Sequence, residues 1–161
     1  MPTLQQQAIK MNKEALDSLF SNARHVPEDK RNDWKPMGEA RSVLGQLTEC
    51  ALTPIFFSAL LRGEKVDFAD PVGQAKRKEA EAAITSVDIA EQAARKNREM
   101  LYAIIAEIPD ADLDKEFPLP WNPNATATVA DILFYDYWNL VYHIGQINYI
   151  QLLLGDTEMH M

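Results

Sequence analysis

The stretch TVADILFYDYWNLVYHIGQINYIQLLLG, Thr128 to Gly155, decides how this chain is read. Thr128-Val129-Ala130-Asp131 is a capping-box pattern that opens a helix, and Gly155 follows the last apolar residue, Leu154, as a C-terminal stop. At about 1.5 Å per residue the helix between them spans roughly 40 Å, enough to set the length of a helical bundle. Within it, a polar constellation interrupts the apolar run from Trp138 to Tyr149. Residues three, four or seven apart share a helix face, so Asp136, Asn139, His143 and Gln146 project to one side. Burying such groups without partners costs roughly 1–3 kcal/mol each, which makes this stripe the place to look for function.

Three more helical patterns precede it, each closed by breakers. The first runs from about Leu4 to Phe20 or a little beyond, with Leu4, Ala8, Met11, Ala15 and Leu19 on the spacing of a bundle seam and Pro27 past its end. The second follows Trp34-Lys35-Pro36 and covers about Glu39 to Leu61, with a kink at Pro54 and a stop at Gly63. A charged, proline-containing connection from Glu64 to roughly Glu81 leads to the third. That helix opens at Thr85-Ser86-Val87-Asp88, carries the seam Val87, Ala90, Ala94, Asn97, Leu101, Ile104, Ile108, and ends at Pro109. An amide at seam position Asn97 reads as a register device or a partly exposed seam residue. Asp110 to Thr128 is rich in proline, Asp and Asn, and alternates Phe117, Leu119 and Trp121 as a short strand or ordered loop covering one end of the bundle.

Four long amphipathic helices, a long crossover and a short irregular segment before the last helix imply one all-α domain over residues 1–161, a four-helix bundle. The ferritin-like di-iron version is rejected because no helix carries Glu-x-x-His, and zinc-finger, P-loop and Rossmann patterns are absent. Sixteen basic residues against 24 acidic ones leave a net charge of -8, which argues against nucleic acid and anionic membrane surfaces as partners. The single Cys50 precludes an intramolecular disulfide. With no signal-peptide pattern, and an apolar stretch from Ala51 to Leu61 too short to span a bilayer, the expected location is the cytoplasm.

Asn139-Leu140-Val141-Tyr142-His143-Ile144-Gly145-Gln146-Ile147, followed by Leu154-Gly155-Asp156, resembles the last helix of the DinB-like (DinB/YfiT-like) superfamily of four-helix bundles, where the pattern is His-x-x-x-His-x-Gly-Gln. The second helix is similar too, through Trp34-Lys35-Pro36, Leu47-Thr48-Glu49-Cys50 and Leu60-Leu61-Arg62-Gly63. In that family three histidines, one from the second helix and two from the fourth, bind a divalent metal such as nickel or zinc. The resemblance therefore implies a metal position at Glu49, Asn139 and His143, in which one histidine is kept, one is replaced by a carboxylate and one by an amide. Glutamate shifts such a site toward metals that accept oxygen ligands, manganese among them, and Asp136 or Gln146 would have to help.

The competing reading is a metal-free polar knot, in which the Glu49 carboxylate orients His143 and favours its imidazolium form. Cys50 points about 100° away from Glu49 and reads as a small buried hydrophobe. His25 and His160 read as solvated surface residues, and Tyr135, Tyr142 and Tyr149, recurring at sevens, as a packing stripe or the face of a homodimer.

Two functional expectations follow from the resemblance. One is a divalent-metal-dependent enzyme of the thiol S-transferase or hydrolase type, acting on a small molecule or with a low-molecular-weight thiol; no catalytic residue beyond the metal position is assigned. The acidic balance and the lack of an arginine cluster beside the site weigh against an anionic thiol. The other is a non-catalytic dimeric protein, binding a small molecule or serving in stress, without bound metal; a third reading, apart from the resemblance, is a purely structural or interaction protein with the tyrosine stripe as its interface.

Overall fold

Every long helix of this chain begins at a side chain that satisfies orphan backbone donors. Thr3 and Gln6 form a reciprocal capping box ahead of α1 (Leu4–His25), and Thr128 and Asp131 do the same ahead of α6 (Val129–Leu153). Ser42 caps α3 (Val43–Leu61) by accepting from the Gly45 amide at 3.1 Å, so that helix starts four residues later than its pattern suggested. The residues before Ser42 are non-helical, with Gly38 at φ +57°. Ser86, not Thr85, caps α5 (Val87–Glu107). The computed structural model describes residues 1–158 and 160.

Two short elements escaped the sequence reading. One turn of helix, α2 (Glu28–Arg31), follows α1, and the connection after Gly63 holds α4 (Pro71–Ala82), with Asp70 as its cap and Pro71 in its first turn. Neither buries a residue, so neither carries the apolar stripe by which the long helices announce themselves. The segment before α6 is a 3-10 turn at Asp110–Asp112 and then an antiparallel hairpin, β1 (Glu116–Leu119) with β2 (Asn122–Thr128), whose register shifts at Pro118/Leu119. The fold is thus mostly helical with a small two-stranded sheet.

α1 packs on α5 and α6, and α3 packs on the same two helices. Side-chain pairs give the directions. Asn12 meets Asp136 and Gln151 reaches the Asn22 carbonyl, so α1 and α6 run together. Gln5 bonds the Ile108 carbonyl while Arg24 pairs with Asp88, so α5 runs against α1. Gln46 lies on His143 and Phe57 on Tyr135, so α3 runs against α6. The parallel neighbours α3 and α5 therefore need the long crossover that contains α4. By length and composition α3 is apolar enough to cross a membrane, yet half of it is buried inside the protein, as a core helix would be.

The interior divides into two apolar clusters. One gathers Leu16, Leu19, Leu47, Cys50, Ala94, Leu140 and Ile147; the other, toward the hairpin, gathers Ala8, Phe57, Leu101, Ile105, Ile132 and Leu133. Between them lies a polar layer made of Asn12, Arg98, Tyr102 and Asp136. Arg98 is fully buried, with its Nε 2.9 Å from Asp136 Oδ2 and its Nη2 donating to Asp136 Oδ1 at 3.1 Å. Asn12 Nδ2 donates to Asp136 Oδ2 at 2.8 Å, and the Tyr102 hydroxyl donates to Asn12 Oδ1 at 2.7 Å. The buried seam of α5 accordingly runs Ala94, Arg98, Leu101, Ile105, not through Asn97 and Ile104.

Pro54 explains why an arginine sits there. Proline has no N–H, so in α3 it leaves the carbonyl four residues back, that of Cys50, without its helical donor. Arg98 Nη1 donates to that carbonyl at 2.9 Å, and Asn97 Nδ2 donates to the next one, Ala51, at 2.8 Å. Asn97 is half-buried, a partly exposed seam residue that bonds the α3 backbone. Replacing Arg98 by Met leaves Asp136 buried without its cation and should cost about 3–5 kcal/mol in urea denaturation. Adding Pro54→Ala to that variant supplies a new N–H for the Cys50 carbonyl and should recover about 1 kcal/mol. Equal effects of Pro54→Ala with Arg98 present and absent would show that the two positions are not coupled.

Candidate functional site

The polar stripe of α6 splits in two when folded. Asp136 belongs to the Arg98 layer and is 1% exposed, so it cannot assist the lower site as the sequence suggested. Asn139 and His143 face α3, and there they meet Glu49. Glu49 Oε1 stands 3.3 Å from His143 Nε2 and accepts from Asn139 Nδ2 at 3.5 Å. The three residues expected to share a site are therefore side by side, with Gln146 on the wall of the adjacent cleft.

Two further residues complete the arrangement. Gln46 lies one helical turn before Glu49 on the same face of α3, and its Oε1 accepts from His143 Nδ1. Arg41, from the segment ahead of α3, places Nη1 on Glu49 Oε2. Gln46 could have been found from its three-residue spacing to Glu49. Arg41 precedes the helix, where no periodicity points.

The environment fixes the protonation of His143. Its ring is fully buried, and that burial, with the nearby Arg41 charge as the lesser cause, pushes its pKa down from 6.5 to about 4. The imidazole is neutral at physiological pH, which corrects the expectation that Glu49 would hold it as an imidazolium. With Nδ1–H given to Gln46, the lone pair is on Nε2. That nitrogen and the Asn139 Oδ1 are both buried without a hydrogen-bond partner. Glu49 Oε1 is near Nε2 but is itself an acceptor, so neither satisfies the other.

This is the observation on which a metal can be tested. A buried imidazole nitrogen without a partner stands beside a carboxylate oxygen, and Asn139, which turns its amide N–H to that carboxylate, carries an orphaned oxygen. Two ligands of one tetrahedral zinc stand about 3.4 Å apart, close to the Nε2–Oε1 separation. Gln46 holds the imidazole through its Nδ1, which fixes the ring's orientation. The set is small: among the described residues no group of three or more His, Cys, Asp or Glu side chains could hold a metal ion. The donors at hand are one imidazole and one carboxylate, and the carboxylate is already paired with Arg41.

The site opens to a cleft of about 830 Å³ between the segment preceding α3 and the outer face of α6, lined in part by Met37, Arg41, Glu49, Tyr142, Gln146 and Tyr149. Tyr142 and Tyr149 are exposed, whereas Tyr135 is half-buried in an aromatic cluster with Phe57, Trp121 and Trp138, so the three tyrosines do not form one stripe. Cys50 is fully buried and its thiol is pushed up to about 12, as suits a core residue. His25 is exposed as expected, but His160 is half-buried, stacked on His25 at 3.7 Å and bonded to Asp156, which corrects its reading as a free surface residue.

No family model matches the chain, and no curated protein matches it. Among solved structures it is similar to a crystal structure of an uncharacterized protein from Clostridium difficile 630, with a TM-score of 0.68 and 12% identity over 96% of this chain and 99% of that one. At that identity the likeness speaks for the fold alone.

Between its folded pKa near 4 and its unfolded value of 6.5, His143 binds more protons in the unfolded chain. The stability that the neutral ring contributes is full above pH 6.5 and declines as the pH falls toward 4. Lowering the pH from about 7 to about 5 should therefore reduce the urea midpoint of the wild type more than that of His143→Gln. Equal reductions would overturn the neutral assignment.

Proposed function

We propose that the chain is a DinB-like four-helix bundle, formed by α1, α3, α5 and α6, whose cleft is the site of a divalent-metal-dependent enzyme of the thiol S-transferase or hydrolase type. The single observation that carries this reading is the buried, unpartnered Nε2 of neutral His143 directed at Glu49 Oε1 beside the orphaned Asn139 Oδ1. A structural histidine would be expected to satisfy both nitrogens; this one satisfies only Nδ1.

Glu49, Asn139 and His143 would hold the cation, and Gln46 keeps the imidazole in the tautomer that can ligate. When bound, such a cation lowers the pKa of a coordinated thiol or water and so supplies a nucleophile near neutral pH. The chain's own residues do the rest. Tyr142 and Tyr149 offer aromatic faces to a small molecule in the cleft. A carboxylate and an amide in place of two imidazoles favour zinc, nickel or manganese bound more weakly than by three histidines.

A second reading has its own support. Arg41 on Glu49 and Gln46 on His143 already form most of a metal-free polar knot. With Trp138, Tyr142, Tyr149 and Leu152 exposed along the outer face of α6, this supports a dimeric small-molecule-binding protein without catalysis.

Metal content separates the two. Untagged protein loaded with zinc, nickel or manganese and then dialysed should retain about one equivalent, His143→Ala should retain none, and Glu49→His with Asn139→His should bind more tightly. Wild-type protein that retains no metal under any loading would leave the metal-free reading.

A further inference from the structure

The outer face of α6 is an uncharged surface on a highly charged chain. Between Asp131 and Asp156 the only acidic or basic side chain other than His143 is that of Asp136, and it is buried against Arg98. The outer faces of α1 and α5, by contrast, carry Lys13, Glu14, Arg95, Lys96 and Glu99. α6 instead turns Trp138, Tyr142, Tyr149 and Leu152 outward, each between 56% and 65% exposed. With Gly145 these residues follow a 4-3-4-3 spacing, the stripe by which one helix packs on another. Gly145 is at the centre of the stripe, and nothing lies within 4 Å of the position its Cβ would take. Packing inside the protomer therefore does not call for a glycine, although glycine weakens a helix interior relative to alanine.

We propose that this face pairs with the same face of a second copy of the chain, the two α6 helices running antiparallel about a two-fold axis at Gly145. This rests on the dimeric part of the second reading above and holds with or without a cation in the cleft. Trp138 and Leu152 each lie seven residues from Gly145, and Tyr142 and Tyr149 lie three and four from it. An antiparallel copy therefore brings the partner's Leu152 to Trp138 and the partner's Tyr149 to Tyr142, so that one patch complements itself. Glycine at the axis lets the two helix backbones approach closely, as a side chain there would not. The charge pattern favours a second copy: each copy carries a net charge of -8, and like-charged copies meet with least repulsion where neither bears a charge. The area suffices as well. Three aromatic side chains of about 150–250 Å² each, more than half exposed, give with Val141, Leu152 and Leu153 on the order of 600 Å² per copy, which reaches the lower end of specific interfaces. Tyr142, Gly145 and Tyr149 also line the cleft, so the partner helix bounds its open side.

Light scattering on a size-exclusion column should give twice the chain mass of 18.2 kDa, and sedimentation over a concentration series should give the dissociation constant. Gly145→Leu, whose Cβ meets nothing within the protomer, and Tyr142→Glu, which places a carboxylate between the copies, should each weaken self-association by at least about tenfold. Both should keep the helical circular dichroism of the wild type. For the direction of pairing, Trp138→Cys mixed with Leu152→Cys should give a disulfide-linked dimer on mild oxidation, and neither alone should; Cys50 is buried and takes no part. A monomeric wild type overturns the pairing and the dimeric reading together, and leaves the face to a different protein. A dimer indifferent to both Gly145→Leu and Tyr142→Glu overturns the pairing through α6 while the dimeric reading stands. Cross-links formed by Trp138→Cys alone overturn the antiparallel arrangement.

Discussion

Arg98 is the residue on which the interior depends. It is a charged side chain with no solvent exposure, and it persists because every nitrogen of its guanidinium has a partner: the Asp136 carboxylate as an ion pair, the Asn12 side-chain oxygen, and the carbonyls of Cys50 and Ala94. Desolvating both charges is costly, and a buried pair of this kind is weak evidence of stability by itself. Its value here is geometric. It ties α1, α3, α5 and α6 at one level, between two apolar clusters that would otherwise be free to slide along one another. The proline in α3 makes the arrangement specific, since only a donor from outside the helix can satisfy the Cys50 carbonyl at that level.

Fixing that layer also fixes the candidate site. His143 lies two turns beyond Asp136 on α6, and Glu49 adjoins Cys50 on α3, so both are referenced to the carbonyl that Arg98 holds. The Glu49–His143 approach is therefore set by the rigid part of the molecule. Only Arg41, reaching in from the segment before the helix, is set by something looser.

The long helices were legible because helices packed on one another need apolar residues at a 3.6-residue period and breakers bound them; the cap at Thr128 was read as such, whereas Thr3, Ser42 and Ser86 cap without having been singled out. The meeting of Glu49, Asn139 and His143 was legible from the same periodicity together with a resemblance to a known pattern. What was not legible breaks the period. α4 has no buried face. Arg98 occupies a seam position that a hydrophobic pattern assigns to its neighbours, because charge alone does not reveal that Pro54 has opened a carbonyl across the interface. The protonation of His143 was misjudged for a similar reason: spacing shows the carboxylate nearby, but burial, the stronger influence, comes from the surrounding helices.

The chain contains two arginine–carboxylate pairs that differ in nearly every physical respect. Arg98–Asp136 is dry, its side chains 0% and 2% exposed, and it is supported by further hydrogen bonds, so opening it strands a charge in the core. Arg41–Glu49 is half in water, its arginine is on an irregular segment, and water can take up either charge when it opens. Exposed pairs are worth roughly 0–1 kcal/mol, so the second opens at little cost while the first does not. The contrast separates the two: the interior pair holds the helices whose spacing positions Glu49 and His143, and the pair at the cleft can open without loosening them.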